Sequence, residues 1–205
     1  MKAGIVQSLA KPGGNATGLS SVALDLEAKR LSLLKELGRD ISRIGVFWDP
    51  ENPYSTLAVK QDETAADALG VRLSKVFLRA PSDLNNALQA LKREGVQALC
   101  VQGYAGALKS RSAIIEFAAA NQLPAIYISR EYVVKGGLIS YGSNLGAISR
   151  RAAGYVDRIL KGAKPSELPV EQASELELVI NLKTAKALDL TIPRSLLLRA
   201  DQVIQ

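Results

Sequence analysis

Along the middle of this chain, apolar and polar positions follow two rhythms joined by short breaks. RIGVFWD, from Arg43 to Asp49, is a nearly unbroken apolar and aromatic run, the pattern of a strand covered on both faces. Asp49-Pro50-Glu51-Asn52-Pro53 then turns the chain and opens a helix. Asn52 is placed to cap it, Pro53 takes its first position and Gly70 ends it. VRLSKVF, Val71 to Phe77, alternates and predicts a second strand. Ser82 is expected to cap the next helix, whose Leu84, Ala87, Leu88 and Leu91 form one apolar stripe before Gly95. VQALCV, PAIYI and GGLISYG predict three more strands. Between them lie the loop Gly103 to Gly106, a helix through Ile114, Ile115 and Ala118, and a helical turn over Arg130 to Val134.

Strands separated by helices of about ten to eighteen residues imply βαβ units and a mainly parallel sheet covered on both faces. Right-handed crossovers narrow this to an α/β class with a doubly wound, Rossmann-like layout. The flanks lack that regularity. SLAKPGGNATGLSS, Ser8 to Ser21, is dense in turn formers. LGAISRRAAGYVDRILKG predicts a helix with Leu145, Ile148, Ala152, Val156, Ile159 and Leu160 on one face, ended by Lys161 to Pro165. LELVINL predicts a strand, Thr184 to Leu188 a short helix, and Ile192-Pro193 the start of a tail. Neither flank has a complete βαβ series, so residues 1–21 and 143–205 are expected to form a partial lobe beside a complete one over 22–142.

Composition narrows the chemistry. With 47% hydrophobic and 22% charged residues, the 205-residue chain is of ordinary globular type. No apolar run approaches the ~20 residues of a membrane span. No basic segment followed by an apolar one marks a signal peptide. The absence of histidine excludes Ser-His-Asp and Cys-His catalysis and the common zinc sites. Cys100 is the sole cysteine, so no internal disulfide forms, and its place in QALCVQG predicts a packed, inert thiol. The net charge of +6 is scattered among acidic residues without a basic run, which argues against nucleic-acid binding. No GxGxxG, Walker A or nucleophile-elbow motif is present. No catalytic residue, cofactor or metal is therefore expected.

Longer phrases carry a resemblance. LAKPGGNATGLSS, the loop after RIGVFWDPENP, LPAIYISREYVVKGGLISYGSNL, and the stretch from ILKGAKPSELPVEQ to ELVINLKTAKALDLTIPRSLLLRADQVI resemble the ABC-transporter substrate-binding protein family that includes tryptophan- and tyrosine-binding members. The resemblance spans essentially the whole chain and is most specific from Leu178 to Ile204. It implies a type I periplasmic-binding-protein fold and a solute receptor for an ABC importer, with an ABC permease as partner. It also implies an amino acid, aromatic ones included, as the small-molecule ligand, held in a cleft between two hinged lobes. The location implied is the periplasm or the cell surface as a lipoprotein. Members of the family are longer at the amino end, so the front half of lobe one is expected to be lacking. LELVINL and Thr17 to Ser20 would then leave apolar surface or a sheet edge uncovered, to be met by a homodimer or another chain. Two alternatives stand beside this reading: a ligand-sensing regulatory module of the same fold, and a histidine-independent enzyme on an α/β scaffold.

In open α/β sheets ligands lie against the carboxyl ends of the strands. After the first strand that edge offers Trp48, Asp49, Asn52 and Ser55, the last two able to add hydrogen bonds at a helix N-terminus that suits a carboxylate. Asn52 serves equally as a simple cap, and Trp48 is more readily a core residue. Gly103 admits a close backbone approach, and Tyr104 can stack on a ligand or close the loop over the core. Arg130 and Glu131 follow the fourth strand. Glu131 can pair with an ammonium group, although favouring its helix start explains it at least as well. Thr17, Gly18, Ser143 and Asn144 are the expected hinge positions, Asn144 doubling as a cap.

Overall fold

The computed structural model describes residues 5–20, 22–38, 40–172 and 174–205. Ser21, the end of the first expected segment, lies outside the described residues. The chain divides into two compact units, Met1–Val22 with Ser143–Leu176, and Ala23–Gly142 with Glu177–Gln205.

In chain order the elements begin with β1 (Leu19–Ser20) in the smaller unit. The larger unit opens with a 3₁₀ turn, Ala23–Leu26, running into α1 (Glu27–Lys35). There follow β2 (Arg43–Trp48), α2 (Pro53–Leu69), β3 (Arg72–Phe77) and α3 (Leu84–Arg93). Next come β4 (Ala98–Cys100), α4 (Ala105–Lys109), α5 (Arg111–Ala120), β5 (Ala125–Tyr127), α6 (Arg130–Val134) and β6 (Ile139–Ser143). The smaller unit resumes with α7 (Leu145–Leu160) and β7 (Glu171–Gln172). The tail supplies β8 (Leu176–Asn181), α8 (Leu182–Ala187), α9 (Arg194–Leu197) and β9 (Gln202–Ile204).

Among the described residues the larger sheet runs β3-β2-β4-β5-β6-β8-β9, and its first five strands are parallel. At β8 the direction reverses. The Asn181 N–H donates to the Leu138 carbonyl and the Asn144 N–H to the Glu175 carbonyl, so the end of β8 meets the start of β6. β9 then runs parallel to β8.

Period-two alternation divides the core between two faces. Ile44, Val46, Ala98, Cys100 and Ile126 point to one side, with Leu31 and Leu34 of α1, Ala65 and Ala66 of α2, and Ala185 and Leu196 of the tail. Phe47, Leu99, Val101, Ala125 and Tyr127 point to the other, with Leu84, Ala87 and Leu91 of α3 and Ile114, Ile115 and Ala118 of α5. Local signals set the ends. Asn52 Oδ1 accepts from the Ser55 N–H at 3.0 Å, and Gly70 closes α2 in the left-handed region at φ 64°. Gly142 has no substitute, because a Cβ there would lie 1.8 Å from the Ile128 carbonyl oxygen.

Several expectations are corrected. Residues 177–205 join the larger unit rather than a partial lobe, because β8 is buried along nearly its whole length and needs neighbours on both sides. β6 and β9 supply them, so LELVINL leaves no bare edge. A third passage between units falls at Leu176–Glu177, within the stretch 143–205 expected to belong to one lobe. Ser82 caps nothing: it lies in the 3₁₀ turn Pro81–Asp83, and Asp83 Oδ2 accepts from the Arg79 and Ala80 N–H groups. The apolar face of α7 is not buried, with Val156 at 56% and Leu160 at 82% exposure.

Candidate functional site

The carboxyl ends of β2, β4 and β5 form one edge of the larger sheet, which carries most of the expected ligand residues. After β2 the chain must turn within four residues to start α2, and its polar groups satisfy one another. The Asp49 N–H donates to Ser55 Oγ at 3.0 Å, the Ser55 N–H to Asn52 Oδ1, and the Glu51 N–H to Asp49 Oδ1 at 3.0 Å. Arg79 Nε stands 3.6 Å from Asp49 Oδ1, and its Nη2 2.6 Å from Glu51. Ser55 is wholly buried. Asn52 and Ser55 therefore build the turn, and the capping reading accounts for both. Trp48 differs: it is half-buried, Lys75 Nζ lies 5.5 Å from its ring centroid, and its Nε1–H is shielded with no acceptor among the described groups.

After β4, Gly103 packs so tightly that a Cβ would lie 2.6 Å from Ile128 Cδ1. Tyr104 precedes α4 with its ring inside the core at 3% exposure and its hydroxyl buried without a partner among the described groups. It neither closes the loop at the surface nor presents a free ring face. Burial, and then the charge of Asp49, push its pKa well up.

After β5 the two charged residues part company. Arg130 reaches across the sheet, its Nη1 3.8 Å from Glu177 Oε2 and its Nη2 donating to Gln202 Oε1 at 2.5 Å. It ties the starts of β8 and β9 to this edge. Glu131 stands in the first turn of α6 with Oε2 shielded and no donor on it. Beside it Tyr132 stacks on Tyr127 with ring centroids 4.7 Å apart, and Arg111 lies 5.6 Å from the Tyr132 centroid. Burial pushes Tyr132 up to about 12, against the opposing pull of Arg111. Neither the Tyr132 hydroxyl nor Arg111 Nε has a hydrogen-bond partner among the described groups. Buried polar groups are normally hydrogen-bonded, so this set needs an explanation. The edge holds three kinds of unmatched donor, Trp48 Nε1, Arg111 Nε and the two tyrosine hydroxyls, and one unmatched carboxylate oxygen.

The expected hinge residues lie in the smaller unit. Thr17 Oγ1 donates to the Leu168 carbonyl at 2.6 Å, and the Gly18 carbonyl accepts from the Glu171 N–H beside the β1–β7 pairing. Ser143 is buried at the passage itself, and Asn144 caps α7 by accepting from the Ala147 N–H at 2.8 Å. A groove of about 400 Å³ runs along α7 past Arg150, Arg151, Tyr155, Arg158 and Glu171. It carries none of the expected site residues. Two of its guanidinium groups are engaged, Arg151 with Glu171 and Arg158 over the Tyr155 ring.

One cluster escaped the sequence reading: Glu27, Arg30, Asp62 and Gln102, all with no solvent exposure. Glu27, Arg30, Leu31 and Leu34 share one helical stripe, so two charges on an otherwise apolar face were the available signal. Glu27, Asp62 and Cys100 bring a donor atom each within 4.8 Å of one another. A metal ion fits this set poorly. Arg30 already occupies the cation's position, with Nη2 2.6 Å from Glu27 Oε1, and burial pushes the Cys100 thiol well up, away from the thiolate a metal needs.

A family profile described as "ABC transporter substrate binding protein" matches residues 1–204. A curated relative, the "Tyrosine-binding protein" of Clostridioides difficile (strain R20291), is 28% identical over 191 residues, covering 93% of this chain and 54% of the relative. The chain thus spans about half the length of that relative. The ABC domain from Streptococcus pneumonia, solved in complex with L-Trp, superposes with a TM-score of 0.85 at 26% identity, covering 98% of this chain and 69% of that one. A conserved domain protein from Vibrio cholerae O1 biovar eltor gives 0.87 at 27% identity, covering 98% and 67%. The fold is that of the type I periplasmic binding proteins.

Proposed function

The chain belongs to the ABC transporter substrate-binding protein family, and from that premise we propose that it is the ligand-binding part of a solute receptor serving an ABC importer. Its ligand is an amino acid, with aromatic side chains favoured, and its partner is the ABC permease. Its place is the periplasm or the outer cell surface. The carboxyl edge of the larger sheet supplies one wall of the binding site.

The observation that carries this reading is the set of unmatched buried polar groups on that edge. Among the described groups, Glu131 Oε2 lacks a donor, while Trp48 Nε1 and Arg111 Nε lack acceptors. Once side-chain movement uncovers these shielded atoms, a zwitterion supplies both missing partners, since its ammonium donates and its carboxylate accepts. Leaving such groups unmatched costs about 1–3 kcal/mol each, which ligand binding would recover. The named ligands of the relatives, tyrosine and L-Trp, point to the same class.

Trp48 is the only tryptophan, so its fluorescence reports on the site. Titration of the protein with L-Tyr and L-Phe, by fluorescence and calorimetry, should show saturable binding. Glu131→Gln should weaken it about tenfold or more through the lost ammonium pairing, on the scale of a charged hydrogen bond. Binding of the matching aromatic acid without its amine as tightly as the amino acid would overturn the role of Glu131. Failure of every amino acid to bind would overturn the ligand class.

A further inference from the structure

The buried cluster between α1, α2 and the end of β4 contains two carboxyl groups and one guanidinium, closed to solvent. Arg30 spends its donors away from Asp62. Its Nε donates to Glu27 Oε2 at 3.2 Å, and its Nη2 stands 2.6 Å from Glu27 Oε1. The same Nη2 donates to the Ala23 carbonyl and Nη1 to the Tyr141 carbonyl, each at 3.0 Å. Tyr54 adds its hydroxyl to Glu27 Oε1 at 3.4 Å. Both Glu27 oxygens thus meet the guanidinium, which opposes the upward push that burial gives its pKa. Asp62 is not so paired. It meets only the neutral amide of Gln102, 2.5 Å from Oδ2, and its Oδ1 has no donor among the described groups. Gln102 Oε1 is likewise without a donor among the described groups.

We propose that Asp62 is held as a neutral carboxylic acid, so that Arg30 stays committed to Glu27 and to the two carbonyls, making this cluster a one-proton, pH-sensitive clasp. Those carbonyls have a particular place. Ala23 is the first residue of the larger unit, and Tyr141 is next to Gly142, where the chain leaves it. Arg30 is therefore a positioning residue for two of the three chain passages. Ionising Asp62 would add a second unscreened anion close to Glu27 and set the two carboxylates in competition for one guanidinium. The groups whose charge or hydrogen bonding acts on Asp62 are Glu27 and Arg30 from α1, Tyr54 and Glu63 from α2, Cys100 of β4 and Gln102 just after it. Burial first, and then the charge of Glu27, raise Asp62 from 3.8 to about 8.

The sign follows from proton counting. Between the ordinary carboxyl range and about pH 8 the folded chain holds one proton more than the unfolded chain. Its folding constant therefore falls as pH rises, by up to tenfold per unit from this group, and levels off above about 8. Asp62→Asn keeps the shape and removes the proton. The stability of wild type relative to Asp62→Asn, from urea titrations between pH 5 and 9, should fall up to tenfold per pH unit and flatten near 8. A pH-independent ratio would overturn the proposal. Should the variant fail to fold, carbon-13 spectra of the wild type with labelled aspartate carboxyls decide the matter. One of the nine aspartates should titrate near pH 8. All nine titrating in the ordinary carboxyl range, or stoichiometric metal in the purified protein, would overturn it.

Discussion

The two units of this chain make a contrast in how a hydrophobic stripe is used. In the larger unit every long stripe has a partner. The Leu84, Ala87 and Leu91 face of α3 packs on Phe47, Leu99 and Val101, and the Leu31 and Leu34 face of α1 packs with Ile44, Val46 and Cys100. In the smaller unit the equally regular stripe of α7 lies open, and its two strands are two residues each. Its buried apolar side chains are Ala147, Tyr155 and Leu168, among the described residues. Periodicity announces a face that can be buried. It does not supply the surface that buries it.

Hydrogen exchange gives the widest test of this contrast. Amides of β2, β4 and β5 should exchange only through global unfolding, while those of α7 should exchange orders of magnitude faster through local opening. Equal protection in both would erase the distinction. Among substitutions, Arg30→Ala should cost about 3–5 kcal/mol in urea unfolding, because Glu27 would remain as a buried, unpaired charge. Phe47→Ala should cost about the same by opening a cavity in the larger core. Asn52→Ala removes a single cap and should cost about 1 kcal/mol, with Asn52→Asp close to neutral. The smallest effect belongs to the smaller unit. Leu160→Lys should stay within about 0.5 kcal/mol of wild type, where a core leucine would not. A cost of several kcal/mol there would show that this face is covered.

Legibility followed locality. The bounds of β2, the Asn52 cap, the Gly70 stop and the Arg130–Val134 turn all rest on signals within a few residues, and each appears in the structure. The first helix escaped notice because Glu27 and Arg30 interrupt its apolar stripe with charges that only a partner across the core can make bearable. Tyr104 looks in sequence like a residue free to stack on a ligand or close a loop, since nothing nearby reveals that its ring enters the core. At the candidate site, sequence rules proposed the carboxyl edge, with Trp48 and Glu131 among its candidates. That Asn52 and Ser55 are spent on the turn, and that Arg111 and Tyr132 belong beside Glu131, depends on contacts between separate elements.

By itself, the sequence determined the alternation of strands and helices and the two-faced sheet. These follow from backbone geometry, capping and side-chain period, all of which act within one turn or one strand. Only the tertiary structure decided that the last strands complete the larger sheet and that Arg30 clasps two distant carbonyls. It also decided that α7 keeps its apolar face open. Those outcomes turn on which surfaces meet, and a surface becomes a core only when another part of the chain arrives to exclude the water.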